Sequence, residues 1–329
     1  MKEITISAND AGQRLDRFLK KYLKNASLSY VYKALRKDIK VNGRRQKEDY
    51  MLSEGDALQL YIADSELAAF TEVKERRHRA KRQFQIIYED GDLIVVSKPF
   101  GLLVHGDSTE KKDTLANQVT DYLIETGAYV PRLEKSFVPS PVHRLDRNTT
   151  GLVVFGKNAA SLRTLSQMFR EDGHVRKFYY TIVYGCLDKQ LHLKNMMVKD
   201  ADRNRVKVLP LSAKDGKYIE TIVYPVLPGE DYSLVEVELV TGRSHQIRAH
   251  LSHCGHPVIG DSKYAGRAYA AQARWLDETY ALSTQLLHAR KLEITDAPEP
   301  LEHLNGKIFE APLPENWRTL ERGLLGREY

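Results

Sequence analysis

The chain has 329 residues, 42% of them hydrophobic, with a net charge of +6 and a pI near 9.0; this is enough apolar material for two folded domains and excludes wholesale disorder. Its two cysteines, Cys186 and Cys254, have neither paired nor CxxC spacing, which argues against a disulfide framework or a thiolate metal site. With no apolar leader and no run near the roughly 20 apolar residues of a spanning helix, a soluble, unsecreted, cytoplasmic protein with no membrane partner is expected.

The positive charge is uneven. Residues 1–82 hold 19 Lys/Arg against 12 Asp/Glu, net +7, and the remainder holds 31 against 32, net −1. A basic end favours phosphate contacts through counterion release without reading any sequence.

In chain order, Leu15, Phe18, Leu19 and Tyr22 fall at i, i+3, i+4, i+7, one face of a helix, with Arg14, Arg17, Lys20, Lys21 and Lys24 largely off the stripe. A second helix is expected from a cap at Ser27 or Ser29 through Val31, Ala34 and Leu35, exposing Lys33, Arg36 and Lys37. Val41-Asn42-Gly43-Arg44 predicts a tight turn, because Asn-Gly tolerates the positive φ of type I′. Leu58, Leu60 and Ile62 then alternate as a closing strand.

This unit, residues 1–62, is an αα-hairpin followed by a β-hairpin. From Arg14-Leu15-Asp16 through Val41-Asn42-Gly43 to Glu54-Gly55-Asp56 it resembles the small RNA-binding module shared by a small-subunit ribosomal protein and tyrosyl-tRNA synthetases. The resemblance implies RNA contacts at Arg14, Arg17, Lys33, Arg36, Lys37 and Arg44; a solvated basic cap is the plainer alternative. Residues 63–83 lose periodicity and contain the basic run Lys74 to Arg82, as expected of a linker that touches RNA.

From residue 84 to 329, strand-like runs (Leu93 to Ser97, Gly151 to Phe155, Tyr179 to Val183) and helical stretches near 114–125 and 159–171 do not alternate regularly. Tyr232 to Thr241 has period two, setting Ser233, Val235, Val237 and Leu239 opposite Leu234, Glu236 and Glu238, so one wet face is expected. These features predict an α+β fold, a mixed and largely antiparallel sheet flanked by helices.

Three clusters carry candidate chemistry. In His143-Arg144-Leu145-Asp146-Arg147-Asn148-Thr149-Thr150-Gly151 a carboxylate between two arginines enters a buried strand; it is either an ionised nucleophile or one arm of a structural salt bridge. In Thr241-Gly242-Arg243-Ser244-His245-Gln246-Ile247-Arg248-Ala249-His250-Leu251, Thr241 or Ser244 is expected to cap a helix from which Arg243 or Arg248 reaches that carboxylate, unless this is an ordinary surface helix. Lys177-Phe178-Tyr179 opens an aromatic strand, whose tyrosines are either core or a base-stacking, proton-exchanging phenol.

Together the clusters resemble the RluA-type pseudouridine synthases over essentially the whole chain. The first matches the family's His-Arg-Leu-Asp-x-x-Thr-Ser-Gly motif with Thr150 for serine; Lys177-Phe178-Tyr179 matches Lys-x-Tyr, and Gly242 to Arg248 the third motif. Ser97-Lys98-Pro99-Phe100-Gly101-Leu102 to His105 is similar to the Asn-Lys-Pro-x-Gly segment, with Ser97 for Asn and Gly106 for a frequent proline. The resemblance implies catalytic Asp146, Tyr179 and Arg248, with substrate contacts from Arg144, Ile247, His143 and Arg243. It further implies isomerisation of uridine in large-subunit ribosomal RNA without cofactor or metal; a monomer is the default expectation, the oligomeric state being left open by the sequence. A tRNA substrate, an N-glycosidase and a non-catalytic RNA-binding or ribosome-assembly factor are the rivals.

Three other patterns are set aside. Gly151 to Asn158 nearly spells a phosphate loop, but its interior is a buried strand. No Gly-rich loop or DFG accompanies His143-Arg144, which excludes a kinase. His245, His250, His253 and His256 with Cys254 lack the ligand pairings of a zinc site.

Overall fold

The computed structural model describes residues 1–72, 81–108, 110–131, 133–200 and 205–327. The first unit runs β1 (Lys2–Thr5), α1 (Leu15–Tyr22), α2 (Leu28–Lys37), β2 (Ile39–Val41), β3 (Ala57–Leu60) and α3 (Asp64–Thr71). The apolar stripe of α1 is buried at Leu15, Phe18 and Leu19, each such burial being worth about 1.5–3 kcal/mol. Ser27, rather than Ser29, caps α2 by accepting the Tyr30 N–H. Asn42 and Gly43 both take positive φ, as type I′ demands, and the Asn42 amide then holds the Asp56 carboxylate at 2.7 Å.

Helix α3 corrects the expectation that a linker begins at residue 63. Leu67 is buried with Ile62 in the core of this unit, and Phe70 packs against it. Its pattern is too short to show a helical period, and packing supplies its stability instead. The basic run from Lys74 lies outside the described residues as far as Ala80.

The second unit continues with β4 (Gln85–Glu89), β5 (Leu93–Lys98), α4 (Leu115–Glu125), β6 (Ser140–Pro141), β7 (Thr150–Gly156), α5 (Ala159–Met168), β8 (Val175–Tyr184), β9 (Leu191–Asp200) and β10 (Arg205–Leu209). Then come β11 (Lys217–Leu227), β12 (Tyr232–Leu239), α6 (Gln246–His253), α7 (Ala270–Tyr280), β13 (Leu287–Ile294), β14 (Ile308–Glu310) and α8 (Glu315–Leu325). Its strands form one sheet in the order β10-β9-β11-β12-β8-β13-β7-β5-β4, with β14 on β13 and β6 on β7. Every pairing is antiparallel except β13 with β7. The expected mixed, largely antiparallel α+β architecture is what the chain adopts.

That parallel seam fixes the centre of the molecule. Ala289 of β13 faces Gly151 on one side and Tyr179 of β8 on the other. Gly151 has φ 106°, and a Cβ there would sit 2.2 Å from the Ala289 carbonyl oxygen, so only glycine lets these strands close.

One face of the sheet packs Val96, Val153, Tyr179 and Val237 against α4 and α6. The opposite face is covered by α5 on one half and by α7 and α8 on the other. The wet face expected for β12 is therefore absent: Leu234 lies beneath α7 and α8, and Glu238 is buried in a bidentate pair with Arg176 at 2.8 and 3.0 Å. A pattern of alternating carboxylates does not distinguish solvent from a guanidinium partner.

The two units are docked. Buried Asp10 accepts the backbone N–H and hydroxyl of Ser136 at 3.1 and 2.7 Å, Asn9 accepts the first N–H of α5, and Arg163 donates to the Ala11 carbonyl. Among the described residues no helix is long and apolar enough to cross a membrane.

Candidate active site

The loop before β7 and the N-terminal end of α6 meet beside the seam. Asp146, four residues before β7, accepts a 3.1 Å hydrogen bond at Oδ2 from Nη1 of Arg248, 102 residues further on. Arg248 is 6% exposed, and its remaining donors, Nε and Nη2, grip both oxygens of Asp261 at 2.6 and 2.9 Å. Both carboxylates raise the guanidinium further against the opposing effect of burial. One planar cation therefore spans two carboxylates, a geometry lysine cannot reproduce.

Tyr179 is buried in the same apolar cluster as Leu145 and Ile247, the neighbours of Asp146 and Arg248 in the chain. Burial, and then the Asp146 charge, push its phenol far above the ordinary value and keep it protonated. Its hydroxyl bonds to no described residue. Ile247, 4% exposed, forms part of the apolar wall.

The other expected site residues are placed differently. Arg144 is exposed and its guanidinium has no hydrogen-bond partner among the described residues. Arg243 is exposed too, with its backbone N–H donated to Gln246 Oε1. The His143 ring stacks on Phe169 at 4.6 Å, and its Nε2 accepts the Val154 N–H.

Neither Thr241 nor Ser244 caps α6: His245 takes that position in the left-handed conformation, φ 58°, without a side-chain cap. Gln246 instead ties Thr241, Arg243 and Glu220 together, and Gln246, Arg248 and His250 are all buried, so this is not a surface helix. His250 bonds Thr221 and Asn195, and His256 bonds the Tyr184 carbonyl. Among the described residues these histidines form no metal-binding group.

Asp261, Tyr264 and Lys98 complete the site, and sequence reasoning gave none of them a role. Tyr264 lies under the Arg248 guanidinium at 5.1 Å. Lys98, 1% exposed, donates to the carbonyls of Pro99, Leu102 and Arg147, which pins the loop carrying Asp146 to the end of β5. Burial pushes its ammonium down to about 7, opposed by the Asp146 charge. The three carbonyls favour the charged form as well.

The basic residues of the first unit are outward. Arg17, Lys33, Arg36, Lys37 and Arg44 are exposed, while Arg14 is half-spent on Asp16 at 3.0 Å.

Comparison with known proteins matches residues 92–253 to the RNA pseudouridylate synthase family. A protein of Vibrio vulnificus named ribosomal large subunit pseudouridine synthase C is 33% identical over 98% of this chain and 96% of its own length. The Escherichia coli protein of that name is 32% identical over 90% and 89%. Among solved structures, human RNA pseudouridylate synthase domain containing 4 superposes with a TM-score of 0.55 at 23% identity, over 72% of this chain and 92% of that one. That last likeness is one of fold.

Proposed function

The chain belongs to the RluA-type pseudouridine synthase family and is an RNA pseudouridine synthase, and on that footing we propose that it isomerises uridine in large-subunit ribosomal RNA with Asp146 as the catalytic carboxylate. The observation that carries the reading is the Asp146–Arg248 pair at 3.1 Å, set beside a protonated, buried phenol at Tyr179.

The reaction breaks the N1–C1′ bond, turns the base and joins C5 to C1′; the C5 proton leaves and N1 regains one, so no redox partner is required. The base must first leave the stack. Asp146 starts bond cleavage either by attack on the sugar or by removing a ribose proton, and the Arg248 bond holds its Oδ2 in place for either step. Tyr179 stacks on the freed base and relays the C5 proton, taking it as its own phenol hydrogen passes to the neighbouring Asp146 carboxylate. Arg144, exposed and bonded to none of the described residues, fills the gap left by the flipped uridine. Arg14, Arg17, Lys33, Arg36, Lys37 and Arg44 grip the surrounding backbone, which supplies affinity while the cleft selects the base.

The large-subunit assignment rests on the named relatives. It is tested by offering C5-tritiated transcripts of large-subunit rRNA and of tRNA. Tritium release from the rRNA without free uracil is expected; release from tRNA alone overturns the substrate, and free uracil overturns the isomerisation.

A further inference from the structure

The rear of the site holds a hydrogen-bond chain that the reaction as described does not use. The backbone N–H of Val206, on β10, donates to the Tyr264 hydroxyl at 3.1 Å. That oxygen lies 2.9 Å from Nδ1 of His245, and Nε2 of the same ring lies 3.8 Å from Asp146 Oδ2. Donor accounting gives the chain a direction. With the Val206 N–H occupying one lone pair of the phenol oxygen, the phenol's own hydrogen is available to Nδ1, the arrangement that would put the ring hydrogen on Nε2, facing the carboxylate.

The backbone is bent to aim this ring. His245 is one of three non-glycine residues with positive φ among those described, a conformation that L side chains adopt reluctantly. Tyr264 fixes the ring from the side, edge-on at 5.7 Å. Arg248 Nη1 and His245 Nε2 approach the same oxygen of Asp146, and Oδ1 bonds to no described residue.

We propose that Tyr264 and His245 are positioning residues: Tyr264 holds His245 as the Nε2–H tautomer, whose N–H turns Oδ2 of Asp146 inward beside Arg248 and leaves Oδ1 to the substrate. This rests on Asp146 being the catalytic carboxylate. The 3.8 Å separation closes when the substrate RNA seats, as catalytic hydrogen bonds commonly tighten on binding. Neutral imidazole is the working form, since a protonated ring would clamp the carboxylate as an ion pair. Burial lowers its titration first, and of the charged groups facing it Asp146 and Asp261 oppose that while Arg248 and Lys263 reinforce it.

Three variants and one spectrum test the pair on C5-tritiated rRNA transcripts. His245→Gly accepts the left-handed backbone freely, so its Tm should equal or exceed that of the parent while kcat falls roughly ten- to a hundredfold with KM little changed. His245→Gln, whose amide can reach Asp146, should recover part of that loss. Tyr264→Phe keeps the ring beneath Arg248 but removes the donor to Nδ1. Its kcat should fall, and the acid limb of its pH profile should move to higher pH as imidazole becomes easier to protonate. Imidazole 15N spectra of the parent at neutral pH should show Nε2 protonated and Nδ1 bare, whatever the variants' activity. His245→Gly turning over within twofold of the parent, or a proton on Nδ1, overturns the pair. A parent that releases no tritium overturns the catalytic reading and this inference together.

Discussion

Arg248 is divided between two carboxylates, a single 3.1 Å bond to Asp146 in front and a fork of 2.6 and 2.9 Å to Asp261 behind. The rear fork aims the guanidinium, and the front bond holds Oδ2 of Asp146, which leaves Oδ1 to the substrate. Arg248→Lys preserves the charge and loses the span. The Asp261 carboxylate, 2% exposed, is then left underpaired, which costs about 3 kcal/mol or more. Urea unfolding should show that loss, and single-turnover kinetics a fall in kcat of roughly a hundredfold or more.

Tyr179→Phe separates chemistry from packing. The ring stays in its apolar cluster, and the hydroxyl it gives up bonds to no described residue, so stability should change by less than about 1 kcal/mol. If the phenol transfers a proton at C5, turnover should drop roughly 10²- to 10⁴-fold with RNA affinity retained. A variant as active as the parent makes Tyr179 a packing residue only.

Gly151→Ala should be among the most damaging single-methyl changes in the chain. Its Cβ meets the Ala289 carbonyl at 2.2 Å at a φ of 106°, so the β7–β13 seam must open, at a cost of roughly 3 kcal/mol or more. Thermal melting reads this directly; a Tm within a few degrees of the parent's would mean that the seam has slack.

Acid should weaken the fold before it reaches the carboxylates. Burial pushes His250 and His288 down to about 4, whereas an unfolded histidine titrates near ~6.5. Their stabilising contribution is complete above the unfolded value and is lost as pH falls through that window toward 4. Each imidazole contributes a slope of about 1.4 kcal/mol per pH unit there. Urea midpoints measured from neutral pH to pH ~5 should decline accordingly, and a flat profile would place these rings in water.

What was legible in the sequence was local or strongly patterned. The stripe Leu15-Phe18-Leu19-Tyr22, the Asn42-Gly43 turn and the β7 run announce themselves because the residues that interact are neighbours in the chain. The fold class followed from the irregular order of strands and helices. Asp146, Tyr179 and Arg248 were singled out by motif resemblance, whereas Asp261 and Tyr264 lie in a loop with no period. Only the folded chain brings that loop behind α6. Helix α3 was missed because its apolar content is essentially Leu67 and Phe70, and the bond from Val154 N–H to His143 because a motif position does not say which way a ring turns.

The central claim is that the Asp146 carboxylate does the chemistry. Its sharpest test is Asp146→Asn in single turnover on C5-tritiated rRNA, with Tm and RNA affinity measured alongside. Asparagine keeps the shape and removes the charge, so the account predicts native-like folding, RNA binding within a few-fold of the parent, and tritium release reduced by roughly 10³-fold or more. A folded Asp146→Asn protein that releases tritium at the parent's rate would contradict it.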